Sequence, residues 1–176
     1  MTRLFDLLYS QLEKNPLEKS LNGRDTSGNW KSYSSQDVVD ASEKTASGLL
    51  GLGLKPGDKV AMVVYKNRPE WVIMDFAIQM AGLISIPLYP TISVGEYEYI
   101  LNEAEVKVAF CGGGDLYAKI SGAQPNVPTL EHIYTFDKQD EKQFWEDIFS
   151  TDNREEVEQI KSTIKGEDLA TIIYTS

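Results

Sequence analysis

Tyr174, Thr175 and Ser176 follow the apolar run Leu169-Ala170-Thr171-Ile172-Ile173, which itself follows an acidic turn at Asp168. A buried strand that delivers hydroxyl residues to a loop is one way to begin a phosphate site, because hydroxyls and backbone amides can hold phosphate oxygens. No Gly or Lys follows to complete such a loop. The sequence is therefore expected to stop where that chemistry would start, with Tyr174, Thr175 and Ser176 as the beginning of a nucleotide loop.

Other residues offer weaker chemistry. Cys111-Gly112-Gly113-Gly114-Asp115 joins a strand to a helix, where glycines let amides approach a pyrophosphate. It lacks the G-x-G-x-x-G spacing, and a turn with Asp115 capping the next helix is the simpler expectation. Asn67-Arg68-Pro69-Glu70-Trp71 lies just beyond a buried strand, at the end of the sheet where ligands bind, but also reads as a helix start with Trp71 packed inward. Glu96, Glu98, Glu103 and Glu105 read as a solvated helix face rather than a catalytic pair. A Cys111–His132 dyad has no support from spacing. No metal site is expected, since the chain holds 1 Cys and 1 His.

These residues need elements to hold them. Leu4, Phe5, Leu8 and Leu12 predict an amphipathic helix over 2–14. Leu21–Arg24 and Trp30–Tyr33 flank a turn at 25–29 and predict a hairpin. Ser34 with Asp37 forms a capping-box signature for a helix that ends near Gly51 or Gly53. Lys55-Pro56-Gly57-Asp58 is a tight turn. The unbroken apolar run Val60–Val64 predicts a strand covered on both faces.

Pro69 suits the first turn of the next helix, which runs to about Ala81. A strand over 83–86 ends at Pro87 and Pro90, Ser93 and Glu96 open a helix, and Val106–Phe110 is a further strand. A short helix over 116–121, a strand near 133–136, charged helices over 139–148 and 153–164, and a last strand from Leu169 complete the pattern. The expectation is one α/β domain: a mainly parallel sheet with helices on both faces, plus an N-terminal β-hairpin.

Composition narrows the function. The formal charge is −10, which argues against nucleic acid as a partner. A single cysteine excludes an internal disulfide and suits a reducing cytoplasm. No apolar run approaches a membrane span and no signal peptide is read, which leaves peripheral contact with the inner membrane face open.

Four stretches together resemble the AMP-forming adenylating superfamily of acyl-CoA synthetases, peptide-synthetase adenylation domains and luciferases. They are Trp30 with Tyr33-Ser34; Gly48-Leu49-Leu50 through Leu54-Lys55-Pro56-Gly57-Asp58-Lys59-Val60-Ala61; Asn67-Arg68-Pro69-Glu70-Trp71 through Gly82 to Thr91; and Asp168 to Ser176. Within it, Asn67–Trp71, Pro87-Leu88-Tyr89-Pro90-Thr91 and Gly114-Asp115 with Tyr117 are most similar to bacterial long-chain fatty acid–CoA ligases.

The resemblance implies a fatty acid, ATP, Mg²⁺ and CoA as reactants of the parent enzyme. It implies that the chain is the N-terminal portion of the large AMP-binding domain. Tyr174-Thr175-Ser176 would open the ATP loop, and no catalytic residue would lie within these 176 residues. On that reading the segment alone is inactive, binds no cofactor, and self-associates through surface that later strands would cover. Other readings are another acyl- or aryl-adenylating ligase, a non-catalytic α/β interaction module, and a nicotinamide-binding protein using Gly112–Gly114.

Overall fold

The computed structural model describes residues 2–24 and 28–175. The predicted turn at 25–27 and Ser176 lie outside the described residues. The chain divides into two compact units, Met1–Lys55 with Asn67–Gly82 and Ile148–Asp168, and Pro56–Lys66 with Leu83–Asp147 and Leu169–Ser176.

The first unit is helical with a small hairpin. α1 (Asp6–Lys14) starts later than its apolar spacing predicts. The Asp6 carboxylate accepts the Arg3 backbone N–H at 3.0 Å, which makes the preceding residues a turn. β1 (Leu21–Arg24) and β2 (Trp30–Tyr33) pair antiparallel, Leu21 opposite Tyr33, as the sequence predicts.

α2 (Ser35–Gly51) opens with a complete capping box: the Ser34 hydroxyl accepts the Asp37 N–H at 3.1 Å, and the Asp37 carboxylate accepts the Ser34 N–H at 2.8 Å. α3 (Pro69–Met80) begins with its proline in the first turn, where no hydrogen bond is lost. The Asn67–Trp71 stretch is this helix start, with Arg68 paired to Glu70 at 2.9 Å and Trp71 half-buried.

α6 (Arg154–Thr163) anchors this unit through Lys161, whose ammonium is almost wholly buried. Lys161 Nζ donates to the Tyr9 hydroxyl at 2.7 Å and to Glu158 at 2.6 Å, and the Tyr9 hydroxyl donates to Glu43 at 2.6 Å. Burial and the neighbouring Glu43 carboxylate hold the Tyr9 phenol far above its ordinary titration range.

The second unit carries the sheet. Its strands β3 (Lys59–Val63), β4 (Ile84–Leu88), β5 (Val106–Cys111), β6 (His132–Thr135) and β7 (Gln143–Phe144) lie in the order β4-β3-β5-β6-β7, all parallel. The apolar run of β3 is buried throughout: Val60, Ala61, Met62 and Val63 are at most 1% exposed. α4 (Val94–Glu103) and α5 (Leu116–Ala123) bury Tyr97, Leu101, Leu116 and Ile120 against Ala61, Val63 and Ile86 of the sheet.

Three expectations are corrected. Pro87 does not end its strand but sits inside β4 at the sheet edge, where a missing N–H is tolerated. The helix predicted over 139–148 is instead β7 followed by a 3₁₀ turn, Trp145–Ser150. Long-range packing decides this: Trp145 is buried 6.1 Å from Phe136, and the Asp147 carboxylate accepts the Phe144 N–H at 2.7 Å. The predicted last strand is a single parallel bridge, Thr171 to Ser85.

Candidate functional site at the carboxyl edge of the sheet

In an open parallel sheet, ligands bind beyond the carboxyl ends of the strands. Here three such ends are tied together. Beyond β3 stands Tyr65, beyond β4 the loop Tyr89-Pro90-Thr91, and beyond β5 the glycine run Gly112–Gly114 with Asp115.

Asp115 accepts a hydrogen bond from the Tyr65 hydroxyl and pairs with Lys119 at 3.2 Å. Lys119 also donates to the Pro90 carbonyl at 3.1 Å. The Tyr65 and Lys119 hydrogen bonds hold the Asp115 carboxyl below its ordinary range, and the Asp115 hydrogen bond pushes the Tyr65 phenol up. Asp115 occupies the cap position of α5 but makes no side-chain cap, because its carboxylate is turned to Tyr65 and Lys119.

Tyr97, fully buried, donates its hydroxyl to the Tyr89 carbonyl at 2.7 Å and so fixes the same loop from beneath. Burial is the main reason its phenol is held protonated.

The tail completes the edge. Ser85 N–H donates to Ala170 O, Ile172 N–H donates to Ser85 O, both at 3.0 Å, and the Thr171 hydroxyl reaches the same carbonyl at 2.9 Å. Ile172 and Tyr174 pack against the core of the second unit, and the Tyr174 hydroxyl donates to Glu103 of α4. Tyr174 and Thr175 then line a hollow of about 550 Å³ whose other walls include Tyr89, Ile92, Tyr99 and Ile100. Its size is that of a small-molecule pocket.

The structure thus places Tyr174 and Thr175 on one pocket wall, while Ser176 lies outside the described residues. Sequence reasoning missed Tyr65, Tyr97 and Lys119. Tyr97 carried a signal, since with Leu101 it marks an inward stripe on α4. Lys119 carried one in its i, i+4 spacing from Asp115, but its contact with Pro90 comes from a separate loop.

The remaining candidates separate. The Gly112 N–H is spent on the Val63 carbonyl at 2.8 Å, and Asp115 stands beside the loop, a charge that opposes a pyrophosphate. Cys111 pairs across the ladder with Thr135, and His132 with Val108, so the two do not meet. The Cys111 thiol is wholly buried and its pKa is pushed up to about 12 by that burial. Glu96 caps α4, Glu98 accepts from Asn126 at 2.9 Å and Glu103 from Tyr174, so each carboxylate has a structural partner. Among the described residues no group of three or more His, Cys, Asp or Glu could hold a metal ion, and no helix is long and apolar enough to cross a membrane.

The family profile described as AMP-binding enzyme matches residues 8–176. A long-chain-fatty-acid–CoA ligase from Mycobacterium bovis is 28% identical over 152 residues, which cover 85% of this chain and 25% of that protein. The chain thus spans about a quarter of the length of this curated relative.

Among solved structures, a long-chain-fatty-acid-CoA ligase from Archaeoglobus fulgidus superposes over 99% of this chain and 34% of its own, with a TM-score of 0.77 at 18% identity. A benzoate CoA ligase from Burkholderia xenovorans covers 97% of this chain and 32% of its own, with a TM-score of 0.71 at 13% identity. At these identities the two structures show a shared fold.

Proposed function

The chain belongs to the AMP-binding enzyme family, and from that premise we propose that it is the N-terminal portion of the large domain of an ATP-dependent long-chain fatty acid–CoA ligase. The observation that carries this reading is the family match over 8–176 with Tyr174 and Thr175 at the carboxyl edge of the sheet. Long-chain ligases among the curated relatives favour the fatty acid as substrate.

In the proposed reaction a fatty carboxylate oxygen attacks the α-phosphorus of ATP. The bond to the β-phosphate oxygen breaks, and pyrophosphate leaves. The thiolate of CoA then attacks the acyl carbon, and AMP leaves as the thioester forms. Thr175 fits the first turn of a phosphate loop, offering a hydroxyl and an amide as donors. Among the described residues no Lys or Arg lines the hollow beside it, so Mg²⁺ and cationic residues further along the protein would neutralise the triphosphate. Tyr65, Tyr97 and Lys119 act by holding the loops around that edge, and the chemistry is assigned to residues outside this segment.

A second reading, another acyl- or aryl-adenylating ligase, is compatible with the same fold, which the benzoate enzyme shares. The protein is proposed to work in the cytoplasm, with contact at the inner membrane face where its lipid substrate partitions.

Exchange of labelled pyrophosphate into ATP tests the proposal. The longer protein carrying this sequence is expected to catalyse exchange that depends on a long-chain acid. The 176-residue segment alone is expected to catalyse none. Thr175→Val in the longer protein should lower exchange by about 10- to 100-fold. Exchange by the segment alone, or none by the longer protein, contradicts it.

A further inference from the structure

The β1–β2 hairpin stands out from its unit as a finger. Its inner end is fixed: Ser20 N–H donates to the Tyr33 carbonyl at 2.7 Å, Ser35 N–H donates to the Leu17 carbonyl at 2.8 Å, and the Tyr33 side chain is buried. Midway along β1, Gly23 lies so close to Pro69 of α3 that a Cβ would stand 2.5 Å from the proline Cδ. Outward of that contact the burial stops. Trp30, Lys31 and Ser32 are exposed one after another, and successive strand residues point to opposite faces, so both faces of the ribbon meet solvent.

The outer end carries a tryptophan clasped by a cation. Arg24 and Trp30 are register partners, and the guanidinium lies 4.9 Å over the indole ring. Trp30 is 69% exposed, the most of any large apolar side chain among the described residues. Burying an indole removes about 150–250 Å² from water, and this fold leaves that gain unused. The surrounding chain is basic. From Lys14 to Tyr33 it holds Lys14, Lys19, Arg24 and Lys31 against Glu18 and Asp25, in a protein whose net charge is −10. All four cations are exposed.

We propose that the outer end of this hairpin docks the protein on an anionic lipid bilayer, with Trp30 in the headgroup layer and Arg24 and Lys31 facing the lipid phosphates. Indole rings favour the boundary between lipid and water, and cations beside an anionic surface add to the binding. The same surface repels the acidic remainder of the chain, so the charge distribution selects the finger as the point of contact. This deepens the membrane contact proposed above, and rests on that reading for the choice of a lipid surface over an acidic protein. The finger is held by residues 17–35 and Pro69, apart from the nucleotide loop proposed to begin at Tyr174.

The test is co-sedimentation of the longer protein with vesicles of equal parts phosphatidylglycerol and phosphatidylcholine, with pure phosphatidylcholine vesicles as the comparator. Binding to the mixed vesicles is expected to be at least about 10-fold tighter and to weaken as salt is added. Inorganic phosphate at matched ionic strength should not compete, which separates a bilayer from a free phosphate. Trp30→Ala should weaken binding by about 5- to 30-fold, and Trp30→Phe by less. Arg24→Gln with Lys31→Gln should weaken it by about 5- to 30-fold and flatten the salt dependence. These side chains are exposed, so the variants should keep the parent's melting temperature. Pyrophosphate exchange with palmitate supplied in detergent micelles should be the same in parent and variants. No exchange in a parent that still binds vesicles through the hairpin would fail the ligase reading and leave the docking surface standing. Equal binding to pure phosphatidylcholine, competition by phosphate, full binding in Trp30→Ala or in the Arg24, Lys31 double variant, or no vesicle binding by the parent would each overturn the proposal.

Discussion

Among the described residues, Ser85 and Thr171 form a single parallel bridge that joins the tail to β4, and it stops after that pair. The next outward-facing residue of β4 is Pro87, which has no N–H to donate to the tail, so the ladder cannot advance. The tail beyond is held instead by side chains, Ile172 and Tyr174 on the core and the Tyr174 hydroxyl on Glu103. Such a tail can be repositioned more cheaply than a fully paired strand.

Pro87→Val should therefore extend the pairing. Hydrogen exchange is expected to show a protected amide at position 87, and slower exchange along 172–174 than in the parent. An unprotected amide at 87 would mean that the tail is held away by something other than the proline.

Gly48 lies where α2 meets the segment around Ile148. A Cβ there would stand 2.6 Å from both the carbonyl oxygen and a side-chain carbon of Ile148. Gly48→Ala should destabilise the protein by about 1–3 kcal/mol in urea unfolding. Gly95, in the first turn of α4, faces open space, and Gly95→Ala should be neutral or stabilising by up to about 1 kcal/mol. A similar loss at both positions would show that backbone freedom, not close approach, matters at Gly48.

The two capping boxes set a pH dependence. The Ser34 hydroxyl and N–H hold the Asp37 carboxyl below its ordinary value of 3.8, and Ser93 does the same for Glu96. Both folded-state values are depressed, so their contribution is present above the ordinary carboxylate range and is lost as pH falls through the folded values. The urea midpoint should drop between about pH 5 and about pH 2, and the drop should be smaller in Asp37→Asn, Glu96→Gln. An unchanged acid limb in that double variant would remove the caps from the explanation.

Cys111 should be inert while the protein is folded. Its thiol is buried, donates to the Tyr134 carbonyl at 3.4 Å, and has its pKa raised to about 12. A disulfide reagent at neutral pH is expected to label it only at the rate of global unfolding, and fully in urea. Fast labelling without denaturant would show that the β5 end opens locally.

Local signals in the sequence carried far. Ser34 with Asp37 and Ser93 with Glu96 lie within single turns, so their helices were legible from three-residue spacings. The buried runs of β3, β4 and β5 were legible because a parallel sheet covered on both faces leaves no alternation. The 139–150 region was not, since Trp145 is placed by contact with Phe136 as well as with Phe144, and the Phe136 contact leaves no mark on the local pattern. At the edge of the sheet, Tyr174 and Thr175 could be singled out from their strand-then-hydroxyl order, and Asp115 with Lys119 from their i, i+4 spacing, but Tyr65 lies 50 positions from Asp115 and no local pattern reports that contact.

Competition between two acids tests the proposed synthesis of long-chain acyl-CoA. The most direct measurement gives the longer protein carrying it ATP, Mg²⁺, CoA and an equimolar mixture of palmitate and benzoate, and identifies the thioester by mass spectrometry. Palmitoyl-CoA is expected as the main product, formed with AMP and pyrophosphate. Benzoyl-CoA as the main product, or ADP in place of AMP, would contradict it.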